Sequence, residues 1–273
     1  MIPIYYINLD RVPERRTFME GQFSAQGCTA TRIPAVDAFD LTPPREYAPA
    51  SWLERWSLSI SEIACFESHR IAWRAIRDGS APCGVILEDD AILSAQFSTT
   101  LERLAKITRP FDVIKLDGAN QVLRFGPEIE TGGIRLRTIH QCVTSAAAYL
   151  LSKDGAAKLE ARASRYCDHL DDFIFTPRDD WTLLQLEPAV AVQGMFIRDE
   201  SGNRSEKIGE SERTSDTRIN RSADRGPVKY RLLKELRRNG RKLKWTLWAD
   251  RQLRARGGLI GRPPMADDLG TYR

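Results

Sequence analysis

An α/β domain with a largely parallel central sheet is the fold class this sequence predicts, on three observations. Short β-branched and aromatic runs alternate with segments of helical period. The apolar runs at Ile2 to Leu9 and Gly84 to Leu87 stop abruptly in polar residues. No apolar stretch reaches the roughly 18 residues that crossing a bilayer requires.

The elements follow in order. Ile2 to Leu9 reads as a strand, and Asp10, Arg11 and Pro13 then lead into a helix marked by Phe18, Met19 and Phe23. Thr31 to Val36 reads as a second strand, before an irregular stretch around Pro43, Pro44 and Pro49. Ser59 followed by Glu62 has the pattern of a capping box, and Ile63, Phe66, Trp73 and Ile76 continue one face of a helix from about Glu62 to Arg77. Gly84 to Leu87 is a buried strand ending in Glu88-Asp89-Asp90, followed by a helical pattern through Phe97, Leu101, Leu104 and Ile107. Phe111 to Leu116 and Ala146 to Ser152 are further strands, and Ala156 with Leu159 opens another helix. In such sheets ligands bind beyond the carboxyl ends of the strands, where Asn8 to Arg11 and Glu88 to Asp90 fall.

With 273 residues, 42% hydrophobic and 29% charged, the chain has the composition of a soluble globular protein. Met1 to Arg11 lacks a basic leader with an apolar core, so a cytoplasmic protein is expected. The five cysteines, Cys28, Cys65, Cys83, Cys142 and Cys167, are odd in number with no C-x-x-C pair. Reduced core thiols are expected, and neither a disulfide framework nor a zinc site.

The net charge of +4 conceals an asymmetry: Arg225 to Arg262 holds thirteen Lys and Arg against Glu235 and Asp250, a sum of +11, which leaves −7 for the remainder. Residues 1–198 form the expected domain, 199–225 a polar mobile loop or linker, and 226–273 a basic amphipathic helical tail with a stripe of Leu232, Leu236, Leu243 and Leu247. Gly240 favours two shorter helices there. Such a tail suits an anionic partner, a membrane surface or nucleic acid, or else packs on the body.

The acidic triplet is the most informative feature, because it terminates an apolar strand. In an extended chain Glu88 and Asp90 project to one side and Asp89 to the other, so Glu88 and Asp90 can hold a hard cation such as Mg²⁺ or Mn²⁺ that completes its shell with phosphates. The competing reading is an acidic turn before the next helix. Asn8, Leu9, Asp10 and Arg11, with Glu14, Arg15 and Arg16, either meet phosphate through arginine forks or begin a solvated helix with ion pairs. His69 either donates to a phosphate or sugar oxygen or is a satisfied structural group. Asp168, Asp171 and Asp172 either cap a helix or include a general base. G-x-x-x-x-G-K-[ST], G-x-G-x-x-G and G-x-S-x-G are all missing, which disfavours P-loop, dinucleotide-binding and α/β-hydrolase chemistry.

Taken in order, the segments Ile4 to Arg11 with Glu14 to Arg16, Ala35 to Ala38, Leu58 to His69, Val85 to Asp90, Thr144 to Leu159, Leu170 to Phe173 and Glu187 to Gln193 resemble glycosyltransferase family 25. The resemblance covers about residues 1 to 200, and Ser61 and Glu67 depart from the family's pattern. It implies a GT-A-like fold and inverting transfer of a hexose, galactose by family precedent, from a UDP-sugar in the presence of Mn²⁺ or Mg²⁺. The acceptor it implies is a hydroxyl of a bacterial lipopolysaccharide or lipooligosaccharide core, lipid-linked. Asn8, Leu9, Arg11, Arg15, Glu62, Glu88, Asp89 and Asp90 would bind donor and cation, with Glu88 and Asp90 as metal ligands. Asp171, Asp172 and His69 are the candidates for the base, Asp171 first. The tail would place the enzyme on an anionic membrane surface through residues 226–262, at the cytoplasmic face of the inner membrane. A nucleotidyltransferase and a nucleic-acid-binding protein are the alternatives; with the transferase reading, no nucleic acid is expected.

Overall fold

The strand that begins the domain, β1 (Ile4–Asn8), lies between β2 (Thr31–Pro34) and β3 (Cys83–Glu88) and is parallel to both. These are seen in a computed structural model that describes residues 1–48, 57–198, 226–245 and 249–272. The remaining described strands are β4 (Ala91–Leu93), β5 (Val113–Lys115), β6 (Asp117–Gly118), β7 (Leu123–Thr131), β8 (Ile134–Ile139), β9 (Ala148–Ser152), β10 (Leu183–Glu187), β11 (Ala191–Gln193), β12 (Ile197–Arg198), β13 (Leu259–Gly261) and β14 (Thr271–Tyr272). The main sheet has nine strands in the order β13-β7-β8-β10-β5-β9-β3-β1-β2, and β4-β11-β6 forms a small second sheet.

The mixed α/β class is as expected, but the sheet is not mostly parallel. Three neighbouring pairs, β1 with β2, β1 with β3 and β5 with β10, are parallel, and the other five are antiparallel. The cause lies in the connections. A parallel neighbour needs a crossover, and helices α1 (Pro13–Ala25) and α2 (Ile60–Asp78) lie on the connections that join β1, β2 and β3. By contrast β7 and β8 form a hairpin whose two-residue turn, Gly132-Gly133, has φ of 58° and 73°. Glycine adopts that left-handed backbone without a steric penalty. Strand β9 then enters between β3 and β5 against the direction of both.

Side chains alternate across the sheet and both faces are buried. Ile7, Ile86, Tyr149 and Leu151 pack with Phe66, Trp73 and Ile76 of α2 and with Leu159 of α4 (Lys153–Arg162). Tyr6, Val85, Leu87 and Leu150 pack with Met19 and Phe23 of α1 and with Phe97 and Leu101 of α3 (Phe97–Leu104). The expected capping box is present: Ser59 Oγ accepts from Glu62 N at 3.3 Å, and Ser59 N donates to Glu62 Oε2 at 2.8 Å.

The basic C-terminal segment divides. Helix α6 (Val228–Lys244) runs unbroken through Gly240, with Val228, Leu232 and Leu236 exposed. After it the chain returns to the body instead of continuing as a helical tail. Following α5 (Leu170–Phe175) and α6, the last helix is α7 (Asp250–Ala255), whose Asp250 takes a bidentate pair from Arg124 at 2.6 and 2.9 Å. Strand β13 then extends the main sheet against β7, and Asp268 accepts from Ser94 Oγ and Ala95 N at 2.7 Å each. Backbone pairing, the Arg124–Asp250 ion pair and the Asp268 hydrogen bonds hold residues 249–272 to the domain. The linker expected at 199–225, and Leu247 with Trp248, lie outside the described residues. No helix among the described residues is long and apolar enough to cross a membrane.

Candidate active site

The carboxyl ends of β1 and β3 adjoin, and their side chains cross-brace. Asn8, 1% exposed, donates through Nδ2 to Asp89 Oδ2 at 2.8 Å and to the Val12 carbonyl at 3.1 Å, while its Oδ1 accepts from Arg32 Nε at 3.1 Å. Arg15 Nη1 donates to the other oxygen of Asp89 at 2.8 Å. Asn8, Arg15 and Asp89 therefore fix the strand ends to α1. Leu9 and Asp10 form the turn beyond, closed by Val12 N donating to the Leu9 carbonyl at 3.1 Å. Arg11 forks onto Asp37 at 2.6 and 3.3 Å and lies over the exposed Phe39 ring at 5.0 Å. Its guanidinium holds the Asp37 carboxyl below the usual range.

The alternation expected across the acidic triplet is broken, because Asp89 and Asp90 form the turn where the chain leaves the main sheet for β4. Register with β11 puts Gln193 opposite Ala91, and Gln193 Nε2 donates to Asp90 Oδ2 at 2.9 Å. Asp90 Oδ1 is shielded from solvent and has no hydrogen-bond partner. Burial first, and then the charge of Glu88, push the Asp90 carboxyl up to about 7. A carboxylate with a shielded, orphaned oxygen, two residues from the partly exposed Glu88, fits a hard divalent cation.

Glu88 itself faces α2, where His69 Nε2 lies 3.4 Å from its Oε1. His69 is 1% exposed, and its Nδ1 meets the Tyr149 hydroxyl at 2.9 Å; Trp73 Nε1 donates to that same hydroxyl at 2.8 Å. The histidine is thus a buried group held at Nδ1 and a neighbour of the acidic triplet. Glu62 has partners on both oxygens, Ser59 N on Oε2 and His169 Nδ1 on Oε1 at 3.0 Å, so it joins the start of α2 to the segment that precedes α5. The departure at Glu67 has a structural partner set: Arg70 at 3.0 Å and the Tyr166 hydroxyl at 2.7 Å.

Asp171 and Asp172 lie in the first turn of α5, whose N-cap is His169. The His169 side chain makes no capping hydrogen bond. Asp171 Oδ2 accepts from Ser145 N at 2.9 Å, and Asp172 Oδ1 accepts from the Cys142 thiol at 2.9 Å. Burial and then the Asp172 charge push Cys142 up to about 12. Burial raises Tyr149 as well; the Trp73 hydrogen bond opposes the shift, and the charges of Glu88, Cys65 and Asp171 add to it.

Sequence reasoning missed Ser145. With φ of 75° it is the one non-glycine residue in the left-handed region among the described residues, a conformation that costs a β-carbon-bearing residue energy and recurs at functional sites. Its N–H holds Asp171 while its Oγ donates to Asp117 Oδ2 at 2.6 Å. Asp117 pairs in turn with the fully buried Lys115 at 2.6 Å, and Lys115 also bonds the Ser145 carbonyl. No motif marks this network; the signal is an ionisable residue, Lys115, inside an apolar strand.

Residues 1–175 match the family model described as glycosyltransferase family 25 (LPS biosynthesis protein). The chain belongs to glycosyltransferase family 25. Among curated proteins it is similar to a "Glycosyltransferase 25 family member" of Drosophila melanogaster, 28% identical over 169 residues, covering 58% of this chain and 27% of that protein. A protein of the same description from Aedes aegypti is 33% identical over 95 residues, covering 32% of this chain and 16% of its own length. The matches therefore span about a quarter or less of these relatives. A solved structure titled as a glycosyltransferase involved in glycosylation of the major capsid of PBCV-1 aligns with a TM-score of 0.42 at 10% identity, covering 76% of this chain and 98% of its own.

Proposed function

We propose that this chain is an inverting, metal-dependent glycosyltransferase with a GT-A-like fold. It moves a hexose, galactose by family precedent, from a UDP-sugar to a hydroxyl of a lipid-linked lipopolysaccharide or lipooligosaccharide core saccharide. The observation that carries the reading is Asp90, two residues beyond Glu88 at the end of β3, which presents a buried oxygen with no hydrogen-bond partner.

Glu88 and Asp90 would hold Mn²⁺ or Mg²⁺, which supplies Lewis-acid stabilisation of the charge that builds on a departing diphosphate. Arg11 and the Leu9 to Arg11 turn receive the nucleotide, with Asn8, Arg15 and Asp89 bracing that loop from beneath, while Glu62 fixes the start of α2 beside His169 on the donor side. Asp171 takes the proton of the attacking hydroxyl. Its Ser145 N–H bond holds that carboxylate in a fixed position, as proton transfer requires. Asp172, engaged by Cys142, is its rival, and His69 serves Glu88 in preference to the acceptor.

Helix α6 supports a second contact, with an anionic membrane surface at the cytoplasmic face. Val228, Leu232 and Leu236 recur every fourth residue and are exposed, on a segment carrying the basic excess.

The test is a donor screen: UDP-sugars against other nucleotide sugars, with released nucleotide identified. UDP released from a UDP-hexose supports the reading. Release of pyrophosphate, or turnover of no nucleotide sugar, overturns it.

A further inference from the structure

The absence of a C-x-x-C pair argued against any site for a thiophilic metal, yet the fold assembles one from separate segments. Cys65 and His69 lie one turn apart on α2, and Glu88 comes to them from the end of β3. One donor atom from each, thiol, imidazole and carboxylate, lies within 4.8 Å of the others, and this is the one such trio among the described residues. We infer that Cys65, His69 and Glu88 form a binding site for a borderline-soft divalent cation of the zinc class, distinct from the hard-cation pair Glu88 and Asp90.

Three features fit that chemistry. The donor set of sulfur, nitrogen and one carboxylate oxygen is the mixture zinc takes and magnesium does not. Tetrahedral zinc, with bonds of about 2.0–2.3 Å, places its ligand atoms about 3.3–3.8 Å apart, and His69 Nε2 already stands 3.4 Å from Glu88 Oε1. Cys65, half-buried, stands within 4.8 Å of both and has to close in by at most about 1–1.5 Å against that same spacing.

The third feature is the support behind the histidine. Metal-bound imidazoles characteristically have the other ring nitrogen held by a hydrogen bond that fixes ring orientation and tautomer. Here Nδ1 meets the Tyr149 hydroxyl, itself anchored by Trp73 Nε1, and all three residues are buried. The phenol oxygen has two lone pairs and can accept from both Trp73 and His69 Nδ1. That tautomer leaves the Nε2 lone pair available to a cation beside the Glu88 carboxylate. Three protein ligands leave a fourth position open, and Cys65 gives its proton to solvent on binding. Because Glu88 is common to both sites, a zinc-class ion seated here withdraws it from the hard-cation pair; this consequence, unlike the site itself, rests on the proposed function.

Cobalt is the probe, since a Co²⁺–thiolate bond absorbs in the near ultraviolet and tetrahedral Co²⁺ in the visible. Titrating the full chain with Co²⁺, without nucleotide, is expected to develop both bands at one ion per chain, with Zn²⁺ abolishing them. Cys65→Ser should lose the near-ultraviolet band, Glu88→Gln should weaken binding about tenfold or more, and Cys142→Ser should leave both unchanged. In wild type, where no variant need fold, Zn²⁺ should slow alkylation of Cys65 but not of Cys28, read by peptide mass spectrometry. A wild type without the thiolate band, a band that survives Cys65→Ser, or alkylation of Cys65 indifferent to Zn²⁺ overturns the site. None of these results bears on sugar transfer, so the two readings fail separately.

Discussion

Ser145 donates its backbone N–H to Asp171 at 2.9 Å and its hydroxyl to Asp117 at 2.6 Å, so one residue in a left-handed conformation joins the candidate base to a buried ion pair. The carboxylate on α5 is thereby referenced to the sheet and not to its own short helix. Positioning of that kind is what proton transfer at a fixed distance requires.

Asp171→Asn keeps an oxygen that can still accept from Ser145 but removes the basicity. It is expected to lower kcat by about 100-fold or more while donor affinity, measured by calorimetry, stays within about twofold. Asp172→Asn should cost much less. Loss of donor binding in the Asp171 variant would move the residue to the donor site, and the reverse ranking of the two variants would make Asp172 the base.

Asp89 holds two partners from the first strand and helix, Asn8 and Arg15, in a half-buried setting. Removing it leaves a guanidinium and an amide without their acceptor, and Asp89→Ala should lower stability by about 2–3 kcal/mol in urea unfolding. Unchanged stability with weakened donor binding would show that Asp89 acts on the ligand instead.

Much of this was legible in the sequence. The strands around Tyr6, Ile33 and Ile86, and the helices through Phe23 and Trp73, follow from apolar period, and the capping box at Ser59 and Glu62 formed as its spacing implied. Long-range partners were not legible. Whether Glu88 meets Asp90 or His69 depends on the turn at Asp89 and on β11 arriving from about a hundred residues away, which no local pattern encodes. The parallel expectation failed where a hairpin signal, Gly132-Gly133 between apolar runs, was passed over. The return of residues 249–272 to the sheet was hidden behind a charge excess that read as a tail.

Asp90 gives a pH signature. Its folded value is raised to about 7 from an ordinary value near 4, so between the two the folded chain holds a proton that the unfolded chain has lost. That contribution to stability is fully present below about pH 4 and is lost as pH rises through about 7. Asp90→Asn removes it, and the Tm of the variant minus that of wild type should increase from about pH 5 to about pH 8. A difference independent of pH would mean that the Asp90 carboxyl is not raised.

The exposed stripe of α6 should drive association with vesicles containing anionic lipid and little with neutral ones, weakening as salt rises. Leu232→Glu with Leu236→Glu should abolish co-sedimentation and leave turnover of a soluble acceptor unchanged. Equal binding to both vesicle types would contradict the electrostatic part of the contact.

The proposed role of the end of β3 is to bind a donor diphosphate through a cation. It is tested most directly by UDP release from a UDP-hexose in the presence of a core saccharide acceptor, comparing wild type with Mn²⁺, wild type in excess chelator, and Asp90→Asn with Mn²⁺. Release confined to the first, with the variant folded by circular dichroism, is the expected result. Full turnover in chelator, or by Asp90→Asn, would contradict it.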